Sequence, residues 1–212
     1  MERLGALYLG PLSDAALQRL FERAVRVMIE MEDVDAAYTL RRQALAARLA
    51  WRLGDVDVSP EAVLAGCAAA ARLRHCGFRA HEGYAGLGDT LLALRRHERE
   101  RGGAVPPLDQ AWSRLQPALA AHVRRLPPAC ALQARLRGEW AGDVGRHAEA
   151  ESALHRAIVL AERQGMRMEL ARACEIWASV RRDSAARERA ELLWHDMRAN
   201  PTAVVLTTIR VG

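Results

Sequence analysis

Lysine is absent from this 212-residue chain, and asparagine occurs once, at Asn200. A phosphate loop of the G-x-x-x-x-G-K-[ST] type needs its lysine, so that class of nucleotide site is excluded. The 31 residues counted as Lys or Arg are therefore all arginine, and arginine carries the formal net charge of +5. A GC-rich coding bias exchanges lysine for arginine, so the arginine content alone is weak grounds for phosphate or nucleic-acid binding. Phe and Tyr are scarce too, at 2 and 3 residues. The aromatic and β-branched usage of sheets is missing, and dominant Ala and Leu favour closely packed helices.

Other absences narrow the function classes. The four cysteines, Cys67, Cys76, Cys130 and Cys174, form no C-x-x-C pair and sit in or beside Ala-rich or Leu-rich stretches, as small buried hydrophobes do. No stretch approaches the roughly 18 apolar residues of a membrane span. Met1 to Leu12 lacks the basic start and apolar run of a signal peptide, so a cytoplasmic setting without membrane contact is expected. No nucleophile elbow, Ser/His/Asp order or glycine-rich phosphate loop is visible. The acidic run Glu30, Glu32, Asp33 and Asp35 sits at a tight turn and reads as solvated charge. The chain is therefore expected to have no catalytic residues and no cofactor, with an enzyme of dispersed residues as an alternative.

What is present is helical periodicity. Apolar residues recur at helical spacing from Leu17 to Met31, and a second helix follows with Ala37, Leu40, Ala44 and Ala47 on one side. Ser59 and Pro60 supply a cap and a first-turn proline for a third helix ending near Gly77. Its Ala65–Ala71 interior is small enough for a neighbour to lie very close. A fourth helix runs from His81 to Arg101, and Gly102, Gly103, Pro106 and Pro107 make the clearest linker. Beyond it come Leu108 to Leu115, a helix broken or restarted at Pro117, a helix opening at Pro127-Pro128, and helices at 146–164, 169–181 and 184–199. The expectation is an all-α fold of about ten helices in antiparallel hairpins. Its parts are 1–101, a linker or insertion at 102–107, repeats over 108–200 and an extended tail at 201–212, all in one array.

From Ala134 to Ala157 the small and bulky residues are spaced informatively: Gly138, Gly145 seven residues on, then Ala150, Leu154 and Ala157. This pattern resembles a tetratricopeptide repeat. A second, degenerate copy has Ala178, Ala190 and Trp194 in the matching places, Ala185 where the glycine belongs, and Pro201 near the terminal proline. A third, partial copy has Tyr84, Leu87 and Gly88. Copies are 50 residues apart from Gly88 to Gly138 and 40 from Gly138 to Ala178, longer than the standard of about 34. Long divergent repeats of this kind are similar to the C-terminal helical arrays of bacterial signal-transduction ATPases and adenylyl cyclases. The resemblance implies a tetratricopeptide-like α-solenoid acting as a protein-binding scaffold or regulatory subunit.

In such arrays the first helix of each pair lines the concave groove. The resemblance places Asp89, Arg135, Glu139, Glu175, Ser179 and Arg182 there, where they would grip a partner protein or peptide by charge-assisted hydrogen bonds. Arg135 and Glu139 lie in the best-matched copy. Two alternatives compete. The pairs Arg95-Arg96, Arg124-Arg125 and Arg181-Arg182 offer a basic stripe for nucleic acid, although each lies near a helix C-terminus where cations suit the dipole. His147, Glu151 and His155 repeat every four residues along one helical face, a weak metal pattern for a metal-dependent or cryptic enzyme. His75, Cys76 and His81, with Cys67 nearby, match no zinc template. The Ala203–Val211 stretch is β-branched and suits addition to a partner's sheet edge.

Overall fold

The computed structural model describes Arg19 and residues 36–52, 58–73 and 79–199. The helix expected over residues 17–31, the tail from 201, and His75 and Cys76 lie outside the described residues, Arg19 excepted. Eight α-helices and no strand occur among those described: α1 (Ala36–Arg52), α2 (Val58–Arg72), α3 (Arg79–Glu100), α4 (Pro106–Arg125), α5 (Cys130–Asp143), α6 (His147–Arg163), α7 (Arg167–Arg181) and α8 (Ser184–Ala199). A single 3-10 turn, Pro127–Ala129, precedes α5. The number is eight rather than about ten for two reasons. One expected helix lies outside the described residues, and Pro117 does not break α4. Proline removes one donor to the Ser113 carbonyl, but Ser113 and Pro117 are both exposed. Water can therefore satisfy that carbonyl, while the buried stripe of Leu108, Trp112, Leu115 and Leu119 keeps the helix continuous across the gap.

The described residues fall into two compact units that divide between Ala129 and Cys130. In the first, α1 packs on α2 and α3, and α4 packs on both α2 and α3. The helix after the Gly102–Pro107 segment therefore belongs with the helices before it. That segment caps α3 with Gly102 and enters α4 through Pro106 and Pro107. Two glycines set the depth of packing. A Cβ at Gly83 of α3 would stand 2.8 Å from Leu40 Cγ and 3.2 Å from the Arg41 backbone nitrogen of α1, and one at Gly66 of α2 would collide with the Leu87 side chain of α3. The small-residue interior read from Ala65–Ala71 thus does admit a close neighbour. Leu40, Val63, Leu87, Leu91, Leu92 and Leu115 fill the core between these helices.

In the second unit, α5 and α6 form one antiparallel pair and α7 and α8 another, with α7 also against both α5 and α6. The spacing that begins at Gly138 is explained directly. A Cβ on Gly138 would lie 2.7 Å from Leu154 Cγ and 3.1 Å from the Leu154 backbone nitrogen, so only glycine lets α6 come this close. Ala150, Leu154 and Ala157 are buried on the facing stripe. The turns follow one design. At Gly145 (φ +78°) the chain turns left-handed, with Arg146 N–H donating to the Ala141 carbonyl (2.8 Å) and Gly145 N–H to Gly142 (3.1 Å). Between α7 and α8 the same position is held by Arg182, at φ 54°. The glycine sought at Ala185 is not needed because the turn comes earlier, and Ala185 lies in the first turn of α8. Asp183 caps that helix, accepting from Ala186 N–H at 3.0 Å and from Trp177 Nε1 at 3.2 Å.

Side-by-side helical packing of this kind is compatible with a helical repeat array. No described helix is long and apolar enough to cross a membrane. Two neighbouring glycines give a sharp test. Gly138→Ala should destabilise the chain by about 1–3 kcal/mol, because the backbone of α6 cannot retreat. Gly142→Ala, whose Cβ would meet Ala150 Cβ at 3.8 Å, should be neutral or stabilising by up to about 1 kcal/mol through helix propensity. Urea unfolding of the two variants beside the wild type measures both.

Candidate functional site

The residues expected to line a groove separate in the structure. Asp89 lies in the first unit on α3, half-buried and paired with Arg48 Nη1 at 3.3 Å. The other five lie in the second unit, on α5, on α7 and at the α7–α8 turn. Arg135 is not available to a partner: its side chain is 1% exposed. Its Nε donates to Glu169 Oε2 at 2.6 Å, and Nη1 reaches Glu139 Oε2 at 3.4 Å. Glu169 is itself buried, so this is a charge pair tying the start of α7 to the middle of α5. Arginine suits the place because its fork engages two carboxylates from one rigid plane.

The sequence signal for this role was Glu169, an acid in the first turn of α7.

Around the pair, charge continues outward. Arg172 is buried on α7, and Glu175 is exposed one turn further, where its carboxylate accepts from Trp194 Nε1 of α8 at 2.7 Å. Partial desolvation pushes the Glu175 carboxyl above its usual range. The Trp194 bond and the charges of Arg172 and Arg135 pull it back, and Glu139 pushes it up again. Glu139 and Glu175 therefore feel each other across α5 and α7. Ser179 is exposed on the same helix, and Arg182 is exposed at the turn after it. No protein-family model, curated protein or solved structure matches this chain.

The competing sites are less well assembled. Glu151 is engaged by Arg181 Nη1 at 2.8 Å, and the exposed His155 ring lies 6.3 Å from that of Trp177. His147 is exposed at the start of α6. No group of three potential metal ligands is found among the described residues. Of the arginine pairs, Arg95 is buried against Asp109 at 2.8 Å, and Arg181 is neutralised by Glu151 while lying 6.0 Å above the Trp177 ring. Arg124 and Arg125 are exposed at the end of α4, and Arg96 is half-buried. Cys67 and Cys174 are buried, and burial pushes the Cys67 thiol up to about 12, which leaves it inert as a nucleophile.

A constellation not seen in the sequence lies between α3 and α4. His122 is fully buried, its ring stacked on Tyr84 at 4.8 Å and 6.0 Å from that of His81. The signal was available, since His122 falls three residues after Leu119 and seven after Leu115 on the buried stripe of α4.

Removing one member of the Arg135–Glu169 pair strands a buried charge. Arg135→Ala should therefore destabilise the chain by about 3–5 kcal/mol, and the double replacement Arg135→Met, Glu169→Leu should recover most of that loss. Chemical denaturation of the three proteins reads the difference.

Proposed function

We propose that this chain is a non-catalytic, tetratricopeptide-like binding module that recognises a partner protein or peptide along the exposed side of α5 and α7, as a scaffold or regulatory subunit does. The observation that carries this reading is the buried Arg135–Glu169 pair. It fixes the first helices of two successive hairpins side by side, so Glu139, Glu175 and Ser179 are held in a preordered arrangement before any partner arrives. Preorganisation of this kind reduces the ordering cost of binding.

The role of each residue differs from what the groove positions alone implied. Arg135 supports the face from beneath, Glu139 is held beside it, and Glu175 and Ser179 are the groups a partner would touch. The pairing of Glu175 with the Trp194 indole gives that contact an apolar edge beside an acid. Partners rich in arginine or lysine complement it.

Affinity co-purification from the native host, with and without nuclease, tests the proposal. The comparison is between wild type and a Glu175→Gln, Ser179→Arg variant, in which the glutamine keeps an acceptor for Trp194 Nε1 and equal thermal midpoints show that the fold is kept. A nuclease-resistant protein is expected on the wild type and about tenfold less on the variant. Equal recovery on both, or complete loss with nuclease, contradicts the reading and favours a nucleic-acid interaction through the exposed helix-end arginines.

A further inference from the structure

The His81–Tyr84–His122 cluster takes no part in the face described above, and its geometry is unusual for a core. His122 is 0% exposed, and neither of its ring nitrogens meets a hydrogen-bond partner. A neutral imidazole carries one donor and one acceptor, and here both are desolvated without compensation. The ring is stacked on Tyr84 at 26° between planes, with the buried His81 one helical turn before Tyr84 on α3.

An imidazolium would be still worse placed. Among the described residues, the charge that acts on His122 is that of His81, which repels a second positive charge. Tyr84 offers a ring face. From α2, which also packs on α4, Cys67 is buried and senses Arg114 of α4, and Arg72 is exposed. The Pro127–Ala129 turn carries no titratable group. On α4 itself, Arg124 and Arg125 are exposed and of the same sign as the incoming proton. Burial first, and His81 second, push His122 down to about 4.

We propose that the His81–Tyr84–His122 cluster is an acid-sensitive fastener of α4 on α3, and that uptake of a proton at this imidazole pair loosens the first unit. The direction follows from linkage. The unfolded imidazole titrates near 6.5 and the folded one lower, so between these values the unfolded state binds more protons. The contribution to stability is complete above about pH 6.5, declines as pH falls, and levels off below about pH 4. Each pH unit within that window multiplies the unfolding constant by about ten. This inference is independent of the proposed binding face, which lies in the other unit.

The test is equilibrium unfolding of the full chain from pH 7.5 to 4.5 for wild type and His122→Phe, which keeps a ring against Tyr84 and removes the proton site. The ratio of the wild-type to the variant unfolding constant is expected to grow about tenfold per unit below pH 6.5. A ratio that stays constant overturns the proposal. The wild type alone gives a second readout through the ring-proton NMR titrations of its seven histidines. One histidine titrating well below pH 6, and shifted back up in His81→Phe, supports the fastener. All seven titrating in the ordinary range contradict it even where His122→Phe does not fold.

Discussion

The distance between helix backbones governs this structure, and glycines set it. A Cβ at Gly138 would crowd the Leu154 side chain and backbone nitrogen of α6, one at Gly83 would crowd Leu40 and the Arg41 backbone nitrogen of α1, and one at Gly66 of α2 would collide with the Leu87 side chain of α3. When helices approach this closely, their dispersion contacts multiply and the leucines on either side, Leu154, Leu40 and Leu87, become fully buried. The chain has few aromatic side chains to fill wider gaps, so close approach is how an alanine-rich sequence reaches native packing density. The Arg135–Glu169 pair depends on the same approach, because α5 and α7 must be neighbours before a 2.6 Å bond can join them.

Two buried polar groups show opposite solutions to one cost. Arg135 brings its counter-charges with it, and the price of desolvating the ions is offset only while all partners stay in place. His122 brings none and remains neutral, with stacking on Tyr84 in place of hydrogen bonds. The first arrangement rigidifies its unit and the second makes its unit responsive to protons. Burial also holds the Cys67 and Cys174 thiols in the protonated form.

Much of the helical layout was legible in the sequence, because it is encoded in local patterns. The 184–199 helix is legible to the residue, and the spacing of Gly138, Gly145, Ala150, Leu154 and Ala157 announces two antiparallel helices at close range, with the left-handed turn at Gly145 visible only in the structure. The continuity of α4 at Pro117 is not legible from helix propensity, because it depends on the solvent-facing position that makes the missing donor harmless. The burial of Arg135 is not legible for a different reason. A repeat register gives the direction in which a side chain leaves its helix, but burial depends on what the next hairpin brings, here the carboxylate of Glu169. The place of His122 on the α4 stripe signals that it is buried, but His81 lies 41 residues away in sequence and nothing local signals that the two meet.

The view that results is of a helical module with a rigid inner charge pair beneath a polar face, and its central claim is that the glycine-seated contacts are the most resistant part of the molecule. Native-state hydrogen exchange on the full chain tests this most directly. The amides of α3 around Gly83 to Leu92 and of α5 and α6 around Gly138 and Leu154 are predicted to exchange slowest, opening only with global unfolding. If those amides exchange as readily as the exposed Glu188–Leu192 stretch of α8, the close contacts do not hold the fold and the account is wrong.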